Sequence, residues 1–263
     1  MRVRALYMHP IKSARGVRVT RLAFDARGPI GDRRYMVIGA DGAFRTQRNL
    51  PALTQLIPQL DDAGVLSLTG QGAAPLRVLP PADLPLLTAH VRADAVQVRD
   101  CGDAAALWLT HLLREPCRLV FQGADGVRPI RRLPAREVTL ADGYPLLLIS
   151  DAAVTDLGAR LKSTVDEQRF RPNIVVEGCA PHAEDTWRRV RIGGNSFAVA
   201  APCERCSIPS LDPRTGSVTR GFNRALAKYR SRNGKVFFGQ NLVHEAETEI
   251  AVGDEVEVLA TVA

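Results

Sequence analysis

The sequence predicts a mainly β protein with a few helices, the α+β fold class. Short stretches of alternating or β-branched apolar residues recur along the chain, and turn-forming Gly, Pro and Asp residues separate them. Only three stretches have the apolar spacing of a helix. The composition of the 263 residues, 46% hydrophobic and 24% charged, is that of a globular protein and excludes disordered, collagen-like and coiled-coil classes.

The first part of the chain is predicted to be rich in strands. Residues 39–42 are expected to form a hairpin loop, and the Pro- and Gly-rich stretch 70–85 is expected to be an irregular connection. One helix is expected, at Asp103–Leu113. The predicted strands are 2–8, 17–24, 34–38, 65–68 and 95–99.

The second part combines two helices with further strands. A helix is expected at 151–162, capped by Ser150 or Asp151, with an apolar face of Val154, Leu157 and Leu161. A second helix is expected at Phe222–Arg230. The predicted strands are 174–176, 190–192, 197–200 and 255–259. A domain boundary is expected between residues 99 and 129, and we place it after residue 115, which gives segments 1–115 and 116–263.

Neither a membrane span nor an export signal is expected. The apolar runs are short, such as 144–149, and a spanning helix requires roughly 18 apolar residues. Residues 1–8 alternate like a strand and have no apolar signal region. Five cysteines, an odd number, mostly lie far apart and fit a reducing compartment. These observations predict a cytoplasmic protein with free thiols and no membrane partner.

The charge of the chain indicates anionic ligands. The formal net charge is +7 and the pI is about 9.5. Only four of the 35 basic residues are lysines, so 31 are arginines. A guanidinium group binds phosphate or carboxylate through two parallel hydrogen bonds. The alternative explanation for many of the arginines is the codon usage of a GC-rich genome. With 5% aromatic residues and arginines scattered along the chain, no nucleic-acid partner is expected.

The pair Cys203 and Cys206, in a C-x-x-C spacing, permits three interpretations. A zinc site would need a second pair of ligands, which the scattered remaining cysteines and histidines do not supply. A thioredoxin-like dithiol would need a following helix, which Pro209 and Pro213 disfavour. The third interpretation is one thiolate as ligand to a soft redox metal, with Arg205 favouring the deprotonated form.

Two further clusters could bind an anion. Arg169 and Arg171 flank Phe170, so in an extended chain both guanidinium groups would point to the same side. Lys12 and Ser13 lie in a loop whose turn would expose backbone N–H groups, as a phosphate site requires. The alternative for each cluster is a solvated strand entrance or a surface loop.

Seven short motifs occur in an order that resembles the MOSC-domain proteins with an N-terminal MOSC β-barrel region, which include the mitochondrial amidoxime-reducing components and the bacterial YcbX-type proteins. Together they span nearly the whole chain. The motifs are PIKS (10–13), DR (32–33), FRPN (170–173), EDTW (184–187), RC (205–206), LDPRTG (211–216) and FGQ (238–240).

The resemblance implies a MOSC β-barrel core in 116–263, preceded by an N-terminal β-rich region in 1–115, and a molybdenum cofactor, Mo-molybdopterin. It implies that Cys206 is the molybdenum ligand and catalytic residue. Asp212 would order the Cys206 loop or relay protons. Gly143, Tyr144 and Asn241 would border the cofactor or the substrate mouth, although here this chain departs from the mitochondrial relatives. The remaining residues implied to hold the cofactor are Lys12, Ser13, Arg33, Arg171, Asn173 and Arg205.

The activity implied is the reduction of N-hydroxylated compounds such as N-oxygenated bases, hydroxylamines and amidoximes. Because no plant-type ferredoxin cysteine spacing occurs, electrons are expected from a separate flavin or iron–sulfur reductase. The alternative is a carrier of the cofactor or its sulfur, without turnover of its own. Dithiol exchange through Cys203 and Cys206 is the third hypothesis. Pyridoxal phosphate is disfavoured, since in the related sulfurases it belongs to a separate domain.

Overall fold

The computed structural model describes residues 1–80 and 84–262 and confirms the mainly β, α+β class. The first half contains one helix, α1, and most of its strands are short. Its elements are β1 (Arg2–Met8), β2 (Val17–Val19), β3 (Arg21–Asp25), β4 (Gly28–Pro29), β5 (Tyr35–Gly39), β6 (Ile57–Leu60), β7 (Leu66–Gly70), β8 (Ala73–Val78), β9 (Leu86–Val91), β10 (Asp94–Asp100), α1 (Asp103–Leu113) and β11 (Cys117–Phe121).

The second half contains two helices and the long strands of the main sheet. Its elements are β12 (Pro129–Ile130), β13 (Leu133–Glu137), β14 (Leu146–Ser150), α2 (Asp151–Leu161), β15 (Ile174–Glu177), β16 (Trp187–Ile192), β17 (Asn195–Glu204), α3 (Phe222–Arg230), β18 (Ser231–Arg232), β19 (Lys235–His244), β20 (Glu249–Ala251) and β21 (Val256–Thr261). Short 3-10 helices lie at Pro51–Gln55, Glu167–Phe170, Ala183–Thr186 and Ile208–Ser210.

Most predicted elements are present, with some corrections. The helices α1 and α3 have the predicted bounds, and Ser150 caps α2 by accepting a hydrogen bond from the Ala153 N–H. The predicted strand 17–24 is divided into β2 and β3. The prediction of an irregular connection at 70–85 is wrong for the part that forms β8, while residues 81–83 lie outside the described part. No strand was predicted over β19.

The main sheet has nine strands in the order β2-β1-β15-β14-β19-β17-β16-β21, with β18 paired to β19. Neighbouring strands are antiparallel except for the parallel pair β14 and β15. Alternating residues of these strands enter two apolar cores, so that Leu148 faces one core and Ile149 the other. The helices α2 and α3 cover the second core, through Leu157 and Leu226.

A four-stranded sheet, β5-β11-β10-β9, and a three-stranded sheet, β6-β7-β8, belong to the first half of the chain. The helix α1 packs between them with Leu109 in their common core. Strand pairing crosses the predicted boundary after residue 115, because β1 pairs with β15, β3 with β20, and β5 with β11. The division into 1–115 and 116–263 therefore stays a prediction, and the two segments share their sheets.

The EDTW motif at 184–187 has a structural role. The buried Glu184 carboxylate accepts hydrogen bonds from the Ser150 N–H (3.1 Å) and hydroxyl (2.7 Å), at the start of α2. Asp185 accepts from Arg230 (2.7 Å), Arg232 (2.9 Å) and Gln240 (2.8 Å). These two carboxylates join α2, α3 and β19 around the second core. Among the described residues, no helix has the length and apolar character needed to cross a membrane.

Replacing Asp185 by alanine should lower the free energy of unfolding by about 3 kcal/mol, because Arg230, with 8% of its side chain exposed, would lose its carboxylate partner. The matched control is Glu257→Ala in the Arg191–Glu257 pair, where both side chains are 51% exposed. That change should cost less than about 1 kcal/mol. Denaturant unfolding of both variants measures the difference, and equal losses would contradict this role of Asp185.

Candidate cofactor site

The topology of the main sheet brings the predicted site residues to one edge. Because β1 and β15 are antiparallel, with Leu6 opposite Ile174, the chain leaving β1 meets the chain entering β15. The parallel strand β14 begins at the same edge. The residues gathered there are Lys12 and Ser13 after β1, Gly143 and Tyr144 before β14, and Arg171 and Asn173 before β15.

Asn173 is the buried centre of this edge. Its Oδ1 accepts hydrogen bonds from Arg33 Nη1 (3.1 Å) and from the Leu147 N–H (3.2 Å). Its Nδ2 donates to the Tyr7 carbonyl (3.2 Å) and to Asp32 Oδ1 (3.1 Å). All hydrogen-bonding positions of the amide are therefore occupied by the protein. Asn173 positions Arg33 and the ends of β1 and β14.

Three predicted site residues have a strained backbone. Ser13, Arg33 and Arg171 have φ values of 66°, 50° and 55°, in the left-handed region that disfavours side chains other than glycine. Such strain costs free energy and concentrates at functional sites. In this conformation Arg33 Nη1 contacts the Asp32 carboxylate and Nη2 donates to the Arg171 carbonyl (3.3 Å), which ties the two arginine segments together.

Arg171 and Arg205 have buried nitrogen atoms without partners. Arg171 Nη1 donates to the Ala14 carbonyl, and Arg205 donates to the Phe170 carbonyl (2.9 Å) and to Cys203 Sγ (3.0 Å). Within the described residues, Arg171 Nη2 and Arg205 Nε have no acceptor. Burial and the neighbouring Arg33 lower the pKa of Arg171 to about 9, so the group stays charged near neutral pH. These two buried donors are unsatisfied polar groups, of the kind that an anionic ligand would pair with.

The extended conformation predicted for residues 169–171 is wrong. Arg169 and Phe170 belong to a 3-10 helix, because Phe170 turns into the second core and stacks on Phe238 with 3.9 Å between ring centroids. Arg169 consequently donates to Thr219 Oγ1 (3.0 Å) and the Pro209 carbonyl (3.3 Å). Of the two arginines, Arg171 alone joins the Arg33 cluster.

Lys12 is buried, and its side chain reaches the segment before Gly143. Its ammonium group donates to the Leu140 carbonyl (2.9 Å) and to Asp142 Oδ1 (2.5 Å). Burial lowers the pKa of Lys12, while the Lys12 charge holds the pKa of Asp142 well below its usual value. The predicted backbone phosphate site is wrong at Lys12, because its N–H already donates to the Tyr35 carbonyl (2.8 Å). The Lys12 side chain is 6% exposed, so it contributes its positive charge to this edge rather than an exposed donor.

Gly143, Tyr144 and Asn241 lie at the borders of the cluster. A Cβ atom built on Gly143 would meet no atom of the described residues within 4 Å, so the chain needs no glycine there for steric reasons. Tyr144 is half-buried against a small apolar core. Asn241 lies in β19 opposite Leu147 and Ala201, and it therefore connects the start of β14 to the strand that leads to Cys206.

Cys206 is exposed and Cys203 is half-buried. The segment after Cys206 forms only the three-residue 3-10 helix Ile208–Ser210, so the α-helix that a thioredoxin-like dithiol requires is missing from this described segment. Asp212 accepts hydrogen bonds from the N–H groups of Arg214 and Thr215, both at 2.9 Å. Although burial opposes them, these bonds lower the pKa of Asp212. These bonds order the turn that follows Asp212, and the predicted effect of Asp212 on the Cys206 loop stays a prediction.

Sequence reasoning missed three residues that support the site. Arg128 is buried and donates to the Thr139 carbonyl (2.8 Å) and the Ala141 carbonyl, which fixes the segment that carries Asp142. His9 bonds the Pro172 carbonyl through Nε2 (3.0 Å). Asp142 precedes the predicted Gly143, and His9 lies three residues before the predicted Lys12, so proximity in sequence could have identified both. Nothing in the sequence singles out Arg128.

Comparison with known proteins assigns the family. The MOSC N-terminal beta barrel domain matches residues 1–116, and the MOSC domain matches residues 135–257. The chain belongs to the MOSC family. The mitochondrial amidoxime-reducing component 1 of Mus musculus is 35% identical over 98% of this chain and 82% of its own length. The Homo sapiens protein of the same name is 33% identical with the same coverage. A molybdenum cofactor sulfurase of Danio rerio is 31% identical over 92% of this MOSC chain and 32% of its own length.

The residues of this MOSC chain fit a molybdenum cofactor. The unpartnered guanidinium atoms of Arg171 and Arg205 match a phosphate-bearing group, and an exposed thiol follows Arg205 directly. A thiolate is the protein ligand that a soft redox metal prefers. In the described part of the chain, no group of three or more His, Cys, Asp and Glu side chains is arranged to hold a metal ion by itself.

The burial of His9 should make stability depend on pH. Burial, with Arg171 and Arg33 nearby, holds the pKa of His9 well below its usual value. Below about pH 6.5 the unfolded chain binds a proton there that the folded chain does not, so the free energy of unfolding falls by at most about 1.4 kcal/mol per pH unit. His9→Gln should remove this part of the slope between pH 7 and 5.

Denaturant unfolding at several pH values measures that slope. The matched control is His111→Gln on α1, since His111 is exposed. Its slope should equal that of the unmodified protein. An unchanged slope in His9→Gln would show that the His9 ring does not remain neutral in the folded state.

Proposed function

We propose that this protein is a molybdenum-cofactor-dependent oxidoreductase that reduces N-hydroxylated compounds with electrons from a separate reductase. The observation that carries the proposal is the pair of buried guanidinium atoms without acceptors, in Arg171 and Arg205, next to the exposed Cys206 thiol. The relatives named amidoxime-reducing components support this class of reaction. Bases, hydroxylamines and amidoximes with an N–O bond are the proposed substrates.

Each proposed role follows from a contact. Arg171 and Arg205 would bind the phosphate and pterin through their unpartnered nitrogen atoms, with the cations Arg33 and Lys12 and the neutral Ser13 completing the site. Cys206 would be the metal ligand. When bound, the cofactor supplies two-electron redox chemistry at molybdenum. Asn173 would act through Arg33, since its own amide has no free position.

The chain itself contributes charge and shape to the reaction. Cleavage of a substrate N–O bond consumes two electrons and two protons and releases water. The ionised Asp212 would order the Cys206 loop, and Tyr144 and Asn241 would border the substrate mouth. All five cysteines are free in the structure, which supports our further proposal of a cytoplasmic location.

A carrier of the molybdenum cofactor or of its sulfur is the second candidate. The observation in its favour is the similarity to the molybdenum cofactor sulfurase of Danio rerio. A carrier would retain molybdenum and pterin through the same residues. It would show no steady turnover with an artificial electron donor and would transfer its cofactor readily to an apo-enzyme.

The first test is Cys206→Ala, expressed with the unmodified protein in a molybdenum-competent host. The variant should lose molybdenum and all N-hydroxy reductase activity, because the substitution removes the proposed metal ligand, the thiol that follows Arg205. Mass spectrometry measures the metal, and fluorescence of the oxidised pterin measures the cofactor. Cys203→Ser is the matched control and should retain most metal and activity, since Cys203 packs partly against the second core.

The outcomes separate the candidates. Full activity in Cys206→Ala would contradict the proposed metal ligand. Stoichiometric molybdenum without turnover in the unmodified protein would favour the carrier. Absence of molybdenum and pterin, with cofactor supply verified by a control molybdoenzyme, would contradict both, and loss of function in Cys203→Ser would then favour dithiol exchange.

The second test is Arg171→Gln, which removes a buried cation with a free donor. It should lower pterin occupancy of the purified protein at least about tenfold, since a charge-assisted bond to phosphate is worth more than about 1.4 kcal/mol. Arg169→Gln is the matched control two residues away, because its guanidinium faces Thr219, Pro209 and the Asp212 carboxylate (3.7 Å) rather than the Arg33 cluster. Equal loss of pterin in both variants would contradict the specific role of Arg171.

A further inference from the structure

The net charge of the protein resides in one segment. Residues 213–244 contain seven Lys and Arg and no Asp or Glu, whereas the other 231 residues contain 28 basic and 28 acidic side chains. The whole formal charge of +7 is therefore concentrated in 32 residues. The concentration indicates a binding surface for an acidic partner.

The segment lies beside Cys206. The helix α3 packs against the 3-10 helix Ile208–Ser210, which begins two residues after Cys206. The Thr219 N–H donates to the Ser210 carbonyl (2.7 Å), and Leu211 and Val218 form a β-bridge. These contacts hold the start of α3 and the Cys206 loop together.

Three of the seven cations of the segment have no carboxylate partner among the described residues. The other four, Arg214, Arg230, Arg232 and Lys235, pair with carboxylates at 3.9, 2.7, 2.9 and 2.7 Å. Arg220, Arg224 and Lys228 are exposed, and no carboxylate among the described residues lies within 4 Å of them.

The three cations that are unpaired within the described residues are spaced four residues apart, at Arg220, Arg224 and Lys228. Arg224 and Lys228 therefore share one face of α3, opposite the buried Phe222 and Leu226. We call these three residues, with Val218, the α3 face. Val218 is 66% exposed and adds an apolar contact at the end nearest the Cys206 loop.

We propose that the α3 face is the docking surface for an acidic electron-donor protein, an inference that rests on the proposed function. Free cations around an apolar contact suit a transient protein complex, because unpaired surface charges steer a complementary partner and accelerate association. None of these four residues is aromatic, whereas sequence-independent binding of single-stranded nucleic acid uses exposed aromatic side chains that stack on bases. The position next to Cys206 would place the donor near the metal ligand.

The test uses the cofactor-loaded protein with flavodoxin, a small acidic FMN protein, as donor. The triple variant Arg220→Glu, Arg224→Glu, Lys228→Glu should raise the KM for flavodoxin at least about tenfold. Raising NaCl from about 0.05 to 0.3 M should raise the KM of the unmodified protein in the same direction, since salt screens exposed charges. Turnover with reduced methyl viologen, a small dye that needs no docking surface, should stay unchanged.

The matched control is Arg114→Glu, Arg132→Glu, Arg188→Glu. These three residues are also exposed, and within the described residues they too have no carboxylate within 4 Å. The control changes the net charge by the same amount, at residues outside the segment 213–244. It should keep the KM for flavodoxin within about twofold. Circular dichroism checks that both triple variants fold.

The outcomes distinguish this inference from the proposed function. An equal KM in the two triple variants overturns the inference, as does turnover of the unmodified protein with the dye but none with flavodoxin. Tight binding of a single-stranded DNA oligonucleotide that the α3 variant alone abolishes, with no effect on flavodoxin, also overturns it. No turnover even with the dye overturns the proposed function. The docking surface is then tested by flavodoxin binding, which the α3 variant alone should weaken about tenfold if the inference is correct.

Discussion

The buried amide of Asn173 is the contact on which the candidate site depends. Through four hydrogen bonds it joins the end of β1, the start of β14 and the segment of Asp32 and Arg33. A buried amide with all positions occupied specifies one arrangement, because any displacement leaves polar groups without partners. Arg33 is held in its strained conformation by this network, and its guanidinium group in turn bonds the Arg171 carbonyl.

The electrostatic design of the site leaves positive charge for a ligand. Two carboxylates oppose four cations, and His9 adds no further charge near neutral pH because burial lowers its pKa. The protein thus limits repulsion among its own groups while keeping unpaired donors on two arginines. The charged residues are Lys12, Arg33, Arg171 and Arg205 on one side, and Asp32 and Asp142 on the other.

Local patterns predicted the helices well and the details of the site less well. The bounds of α1 and α3 follow from apolar spacing within each segment. The extended conformation predicted for residues 169–171 is wrong, because Phe170 packs inward on Phe238, which lies far along the chain. The partner of Lys12 lies 130 residues away, so no local pattern reveals it. The strand β8 contains Pro75, which the edge position of this strand tolerates, and the composition of its surroundings resembles a loop.

The pairing of β1 with β15 constrains how the chain folds during synthesis. β1 leaves the ribosome before β15, and Tyr7 reaches its partner Asn173 only across 166 residues of sequence. Until that partner is made, the apolar side chains of β1 and an open strand edge are exposed, which favours slow folding and aggregation. Chaperone binding to nascent β1 would therefore matter more for this protein than for one whose strands pair with close sequence neighbours.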